Sequence, residues 1–313
     1  MLGNPSPRSS VTAPGGMIRL STVYVALAAF CWGLSGGIGA MLTEQGWSPL
    51  VVSLCRGAIG LVFVLAWLGL RPQRSGLTNP RLWFWSVIAG IGVAGNFSFY
   101  FLSIAEGSVA VAATLMYCAP VFVYLVSFSL GLEKPAALKW AAMAMVLIGV
   151  VLLTGVYDLD TTEVTPLAIV AGLASALSYA LFIFGFKYGA AHGSPQAILA
   201  IAFTVLVAVL LGLSDSAQLM AVPGTASWPL FLILGVFGAG LSFIFYIVGL
   251  RQTAPAVASI LAMIEPVTAS LFGVLVLDQR LLGLQVLGMV VILLAVTGQS
   301  MYSTRGQHPP KRG

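Results

Sequence analysis

A chain of 313 residues that is 59% hydrophobic and only 7% charged cannot cover a soluble domain, in which roughly a quarter of residues carry charge. Its mean hydropathy is +1.02, and apolar stretches of about 20 residues, long enough to cross a roughly 30 Å hydrocarbon core as helices, recur along it. The composition predicts an all-α integral membrane protein, and the formal charge of +5 reads as membrane topology, so nucleic acid is not an expected partner.

In chain order, residues 1–21 are polar and rich in Pro and Gly, and read as a tail. The apolar run that follows is too long for a signal-peptide core. Breaks at charges and at Pro/Gly clusters then give ten spans, at approximately 22–42, 48–70, 82–104, 108–130, 136–156, 165–187, 194–213, 228–250, 254–277 and 281–302. Span 1 carries Trp32 and a G-x-x-x-G pair, Gly33 and Gly37, whose small size suits close helix approach. Span 2 carries Arg56. Span 3 holds Asn96 one turn from Tyr100, so the two share a helix face. Span 4 has Tyr117 and a mid-span Pro120, and span 6 has Tyr179. Span 8 repeats the span 3 pattern with Ser242 and Tyr246. Span 9 sets Glu265 directly before Pro266 inside the run AMIEPVTASLFG. A short tail, 303–313, closes the chain. Cys31, Cys55 and Cys118 sit in apolar spans at unrelated spacings and read as packing residues.

The loops differ in charge. Arg8, Arg19, Arg71, Arg74, Arg81, Lys134, Lys139, Lys187, Arg251, Arg305, Lys311 and Arg312 fall on one side of the ten-span arrangement. The other side has only Arg280, with Glu44, Glu106, Asp158, Asp160, Glu163, Asp215 and Asp278. Positive charge is retained in the cytoplasm, which predicts a plasma-membrane protein (a bacterial inner membrane) with both termini cytoplasmic. Lys187 and Arg251, at span ends, are expected to anchor at the interface.

Shifting the sequence against itself by 146 residues without a gap superposes Ser48-Pro49 on Ser194-Pro195, Phe97, Phe99 and Tyr100 on Phe243, Phe245 and Tyr246, and Pro120 on Pro266. Each half, 22–157 and 165–302, holds five spans. Five is odd, so the second half enters the membrane from the opposite side. The result is an inverted-topology repeat, the architecture of many secondary transporters.

These features together resemble the EamA family of the drug/metabolite transporter superfamily. The matching stretches are ALAAFCWGLSGG in span 1, SPLVVSLCRGAIG in span 2, APVFVYLVSFSLGLEKPAALKWAAMAMVLIGVVLLTG across spans 4 and 5, and IEPVTASLFGVLVLDQRLLGLQVLGMVVILLAVTG across spans 9 and 10. The family's leucine-glycine-glutamate turn is kept near Gly131-Leu132-Glu133 and altered in the second half to Leu277-Asp278-Gln279. The resemblance implies a transporter of a small metabolite and leaves the solute open.

An ionised carboxylate near the membrane midplane, as Glu265 would be, costs several kcal/mol unless paired, hydrated or protonated. It is either a proton- or cation-binding group or a structural acid bonded to a neighbouring helix. Pro120 and Pro266 each remove a backbone donor, which frees the carbonyls of Met116 and Ala262 to point into a cavity and makes the pair candidate kinks or hinges. Arg56 either snorkels or faces the cavity, toward Glu265 or an anionic substrate group. Trp32, Asn96, Tyr100, Tyr117, Tyr179, Ser242 and Tyr246 either line a cavity for an amphipathic solute or pack between helices. No phosphate-binding G-x-x-x-x-G-K-[ST] is present, and His192 and His308 fall in a loop and a tail, so neither nucleotide-driven transport nor an enzyme is expected, and no cofactor. The leading expectation is a secondary transporter of a small organic metabolite, such as an amino acid, coupled to protons and acting as a monomer or homodimer in the bilayer. The alternative is a passive channel or a non-transporting membrane subunit.

Overall fold

Capping side chains followed by proline start several of the helices. Asn79 Oδ1 accepts from the Arg81 amide at 3.0 Å, Thr165 Oγ1 from Ala168 at 3.1 Å and Ser194 Oγ from Ala197 at 3.2 Å. Each satisfies a donor that a helix start leaves unpaired, while Pro80, Pro166 or Pro195 occupies a position that needs no donor. A computed structural model describes residues 15–70, 72, 75–158 and 164–305, with side chains from residue 20 to residue 301 among them. Most of the two expected tails, and the charges at Arg8, Arg71, Arg74, Asp160, Glu163, Lys311 and Arg312, lie outside the described residues.

Among the described residues the regular structure is entirely helical. Nine helical segments have the length and apolarity to cross a membrane: Leu20–Glu44, Pro49–Leu70, Pro80–Ala105, Val109–Ser129, Ala137–Thr154, Pro166–Gly189, Trp228–Leu250, Pro255–Val276 and Gly283–Met301. They are spans 1–6 and 8–10. Span 7, Pro195–Leu211, has 17 residues and turns through 118° into Ser216–Gly224. Its helix therefore stops short of the expected 213, where Asp215 Oδ1 accepts from the Ala217 amide at 2.8 Å and starts the next helix. The helix of span 1 begins at Gly15, earlier than expected, and that of span 10 runs on to Arg305.

The principal interfaces join the two halves and obey the repeat. Span 1 packs on spans 8 and 9, and its mate, span 6, packs on spans 3 and 4. Span 2 meets spans 7 and 8, span 7 meets spans 2 and 3, and span 5 meets span 10. Such reciprocal pairing is what a two-fold axis in the membrane plane produces, and with five spans per half the repeats are inverted. The outside of the bundle is apolar: Leu65, Ile91, Leu125, Ile148, Leu177, Leu275 and Leu294 are all exposed. In water such a surface would aggregate, whereas hydrocarbon solvates it.

Spans 4 and 9 are broken. Val109–Met116 and Ala119–Ser129 flank an interruption at Tyr117 and Cys118, while Pro255–Leu261 and Ile264–Val276 flank one at Ala262 and Met263. Each break lies just before the mid-span proline, as loss of its N–H requires. The Ala262 carbonyl is not left free as expected. The chain tightens by one residue there, and the Glu265 amide donates to it at 2.9 Å.

Candidate functional site

Broken spans 4 and 9, with spans 1, 2, 3, 6 and 8, enclose a cavity of about 500 Å3 between the halves. Close approach of span 1 to span 9 fixes one wall. A Cβ on Gly33 would sit 2.5 Å from the Glu265 carbonyl oxygen, and one on Gly37 would enter the Phe272 ring. Only glycine lets the backbone carrying Glu265 lie this near span 1.

Glu265 faces the cavity from the turn after the span 9 break, and Arg56 faces it from span 2. Arg56 does not snorkel. Its Nε donates to the Gly238 carbonyl at 3.1 Å, and its guanidinium lies 5.4 Å from the Phe97 ring centroid, a cation–π contact. These contacts hold the guanidinium at the cavity wall. The ion pair recorded among the described residues is Lys139–Glu133, so Arg56 and Glu265 share the cavity at a distance longer than a salt bridge. Tyr100, Tyr117 and Tyr179 line the wall around Glu265, within its electrostatic reach. The Tyr179 hydroxyl points toward the Glu265 carboxylate outside hydrogen-bond geometry, and both it and Trp32 Nε1 are buried donors without a protein partner. Buried polar groups are ordinarily paired, and these two residues line the cavity.

The cavity opens on one face only. Its wall reaches Thr43 and Glu44, which are exposed at the end of span 1, and Ile104 and Val109 near the loop between spans 3 and 4. This is the face opposite the chain termini. Toward the termini it ends on packed rings: the centroid of Trp32 lies 4.9 Å from those of both Phe243 and Tyr246, and Phe186 lies 5.8 Å from Phe243. The second helix of span 4 there packs against the first helix of span 9. At the open face, Val109 from the first helix of span 4 and Ala269 from the second helix of span 9 flank the cavity.

The expected site residues separate into groups. Glu265, Arg56, Trp32, Asn96, Tyr100, Tyr117 and Tyr179 are brought together on the cavity wall. Asn96 is also a clamp: its Nδ2 donates to the Ser175 carbonyl at 3.2 Å and to Ser175 Oγ at 3.0 Å, and Ser175 Oγ donates to the Asn96 carbonyl at 3.0 Å. Ser242 and Tyr246 lie behind the wall. Ser242 Oγ donates to Gly238 within its own helix at 2.9 Å, and Tyr246 is fully buried behind Trp32. A π-helical turn over Val236–Leu241 winds more loosely than the unbroken α-helix of span 3, changing the rotational phase after it; Phe243 reaches the cavity instead. Pro120 and Pro266 lie beside the breaks and not on the wall. Lys187 is not an interface anchor, since its Nζ donates to the carbonyls of Leu250, Arg251 and Thr253 at 2.7, 3.1 and 2.8 Å, where span 8 ends and leaves carbonyls unpaired. Arg251 Nη2 likewise donates to the Gly193 carbonyl at 2.6 Å. Residue patterns did not single out Ser53, Phe101 and Phe182 as wall residues, although the repeat already paired Phe97 with Phe243.

The EamA-like transporter family model matches the chain twice, over residues 19–155 and 166–301. The chain is 23% identical over 286 residues to the Bacillus subtilis (strain 168) protein named Uncharacterized transporter YwfM, covering 89% of this chain and 93% of that protein. It is 24% identical over 267 residues to the threonine/homoserine exporter RhtA of Salmonella typhimurium (strain LT2), covering 81% and 83%. A crystal structure with 20% sequence identity superposes with a TM-score of 0.75 over 91% of this chain and 99% of that chain, which shows a shared fold. A family match in each half, on a bundle with nine spanning helices and a bent tenth among the described residues, establishes that the chain belongs to the EamA-like transporter family and is a multi-pass membrane transporter.

Proposed function

We propose that the protein is a secondary active transporter that works by alternating access and moves a small zwitterionic metabolite of amino-acid type across the plasma membrane, by proton-coupled export or exchange. The observation that carries this reading is the one-sided cavity, which inside its exposed rim at Glu44 holds one carboxylate, Glu265, and one guanidinium, Arg56, at separate points on an otherwise mostly apolar and aromatic wall. A zwitterion presents an ammonium to Glu265 and a carboxylate to Arg56, while its side chain packs on Tyr100, Tyr117 and Phe97. Threonine and homoserine, for which the Salmonella exporter is named, have this chemistry. Glu265 serves as the coupling group, since protonation removes a charge that is costly to carry through the membrane interior. The two repeats, 22–157 and 165–302, are the moving units, with Pro120 and Pro266 as hinges. Both termini, with the tails 1–21 and 303–313, face the cytoplasm, and the present conformation faces outward. A cavity closed at one end supports a carrier over a passive channel.

The test is uptake of labelled amino acids into proteoliposomes, with and without an imposed pH gradient, for wild type and Glu265→Gln. Wild type is expected to concentrate a solute only with the gradient, and the variant to exchange it without responding to the gradient. Identical behaviour of the two proteins would remove Glu265 from coupling. Downhill flux through wild type that neither saturates nor responds to the gradient would favour a channel.

A further inference from the structure

The two ends of the cavity are not equivalent. At the end nearer the termini, the turn after span 4 carries Glu133, whose side chain is only 8% exposed. Its Oε2 pairs with Lys139 Nζ at 2.6 Å, and its Oε1 accepts from the Ala256 amide at 3.3 Å. Lys139 begins span 5 of the first half, whereas Ala256 begins span 9 of the second. One carboxylate therefore holds the halves together where the cavity is closed. The charged and titratable groups around it are few. Lys139 Nζ also donates to the Lys134 carbonyl at 3.3 Å. Lys187 from span 6 lies within electrostatic reach while tying down the end of span 8. The buried Tyr124 hydroxyl of span 4, also within that reach, has no hydrogen-bond partner.

The repeat supplies the comparison. Shifted by 146 residues, Glu133 falls on Gln279, Lys139 on Gln285 and Ala256 on Ala110. At the open end both members of the pair are thus neutral. The turn is also displaced by one residue: the left-handed position is Gly131 (φ 63) in the first half and Asp278 (φ 52) in the second. Gln279 folds over Gly273 of its own span, and Gln285 accepts from the Leu282 amide at 2.9 Å and donates to the Leu153 carbonyl at 3.3 Å.

We propose that Glu133 with Lys139 is the latch that closes the termini-side end of the cavity, and that its uncharged repeat mates, Gln279 and Gln285, form a weaker latch at the far end, so that the imbalance sets the side to which the empty transporter opens. This rests on the alternating-access reading. Removing one partner of an enclosed ion pair leaves an uncompensated charge, so the latch is tested by replacing both members together.

The experiment uses full-length protein in lipid nanodiscs, with Cys31, Cys55 and Cys118 replaced by alanine. Spin labels at Leu132→Cys and Gln252→Cys report the termini face, and labels at Ala105→Cys and Arg280→Cys report the far face, by pulsed electron resonance distances. The parent is expected to show a short termini-face distance and a long far-face distance. In Glu133→Leu/Lys139→Gln, which leaves the Ala256 amide without its acceptor, the ratio of termini-open to far-open molecules is expected to rise about tenfold or more, the worth of a hydrogen bond to a charged group. Adding Gln279→Glu/Gln285→Lys should shift the population further toward far-face closure. The exchanged pair Glu133→Lys/Lys139→Glu, which keeps the charges but presents no acceptor to Ala256, should also open the termini face. It serves as the test if the neutral variant does not fold. Distances that stay at parental values in the variants would overturn the latch, and a reciprocal minor population in the parent would then leave alternating access standing. Opening of the termini face without closure of the far face would overturn both.

Discussion

Arg56 shows how a single residue acquires a direction. Its Nε is committed to the Gly238 carbonyl and its guanidinium lies against Phe97, so the group is held in one orientation at the cavity wall. Lysine keeps the charge and lacks the fork. Arg56→Lys is therefore expected to raise KM about tenfold, with a smaller change in kcat and an unaltered melting profile, as read by saturable uptake in proteoliposomes. Asn96 predicts the opposite pattern, because its amide is spent on Ser175. Asn96→Ala should cost roughly 0.6–1.7 kcal/mol of stability, the range of polar contacts between membrane helices, seen as a lower thermal midpoint in detergent with transport retained. The sequence made Glu265 and Arg56 visible because an ionisable residue inside an apolar run demands an explanation. Phe101 and Phe182 were invisible for the converse reason, since an aromatic ring in an apolar run has the same pattern whether it faces a cavity or a neighbouring helix. Ser242 and Tyr246 show a different limit. The repeat fixes which residues correspond, but the π turn at Val236–Leu241 alters the face on which they emerge, and no local pattern in span 8 announces that turn.

At the scale of elements, the spans were legible because length and apolarity alone define them, and the breaks in spans 4 and 9 because proline removes a donor at a fixed place. The shortness of span 7 was not, since Leu213 continues the apolar run and the chain turns only where Asp215 caps a new helix. The break in span 9 gives a direct prediction. Pro266→Ala supplies an N–H that can donate to the Ala262 carbonyl, in competition with the tight turn made by Glu265. The span should straighten, the thermal midpoint should rise and turnover should fall, whereas a proline that only shaped packing would leave turnover at the wild-type rate once the midpoint had risen. Span 1 predicts a change of the other sign. Gly33→Val places methyl groups against the Glu265 carbonyl and Thr268. It should destabilise by about 1–3 kcal/mol, as overpacking does, and depress transport by displacing the backbone that carries Glu265.

For the whole molecule, the repeat has a consequence for how the protein holds together. Independent domains bury their own cores and meet across a modest interface. Here the main interfaces of spans 1, 2, 3 and 5 are with spans 8, 7, 6 and 10, and span 4 leans on spans 6 and 9. Each half lends its helices to the other and retains few contacts of its own, so neither has a complete set of buried faces when alone. Three polar clamps, Asn96–Ser175, Glu133–Ala256 and Gln285–Leu153, cross between halves in the same way. A chain cut within 159–163 should therefore assemble from two fragments. With an affinity tag on the first fragment only, the second should copurify in equal amount, and the reconstituted pair should transport. Expressed singly, either fragment should be degraded or aggregate, because the small residues facing the missing helices, such as Gly90, Gly92, Gly149 and Gly288, would meet lipid that fits them poorly. A monodisperse single fragment with a thermal transition like that of the full chain would show instead that the halves are self-sufficient units. Alternating access would then require a hinge between domains and not the exchange of interfaces within one bundle.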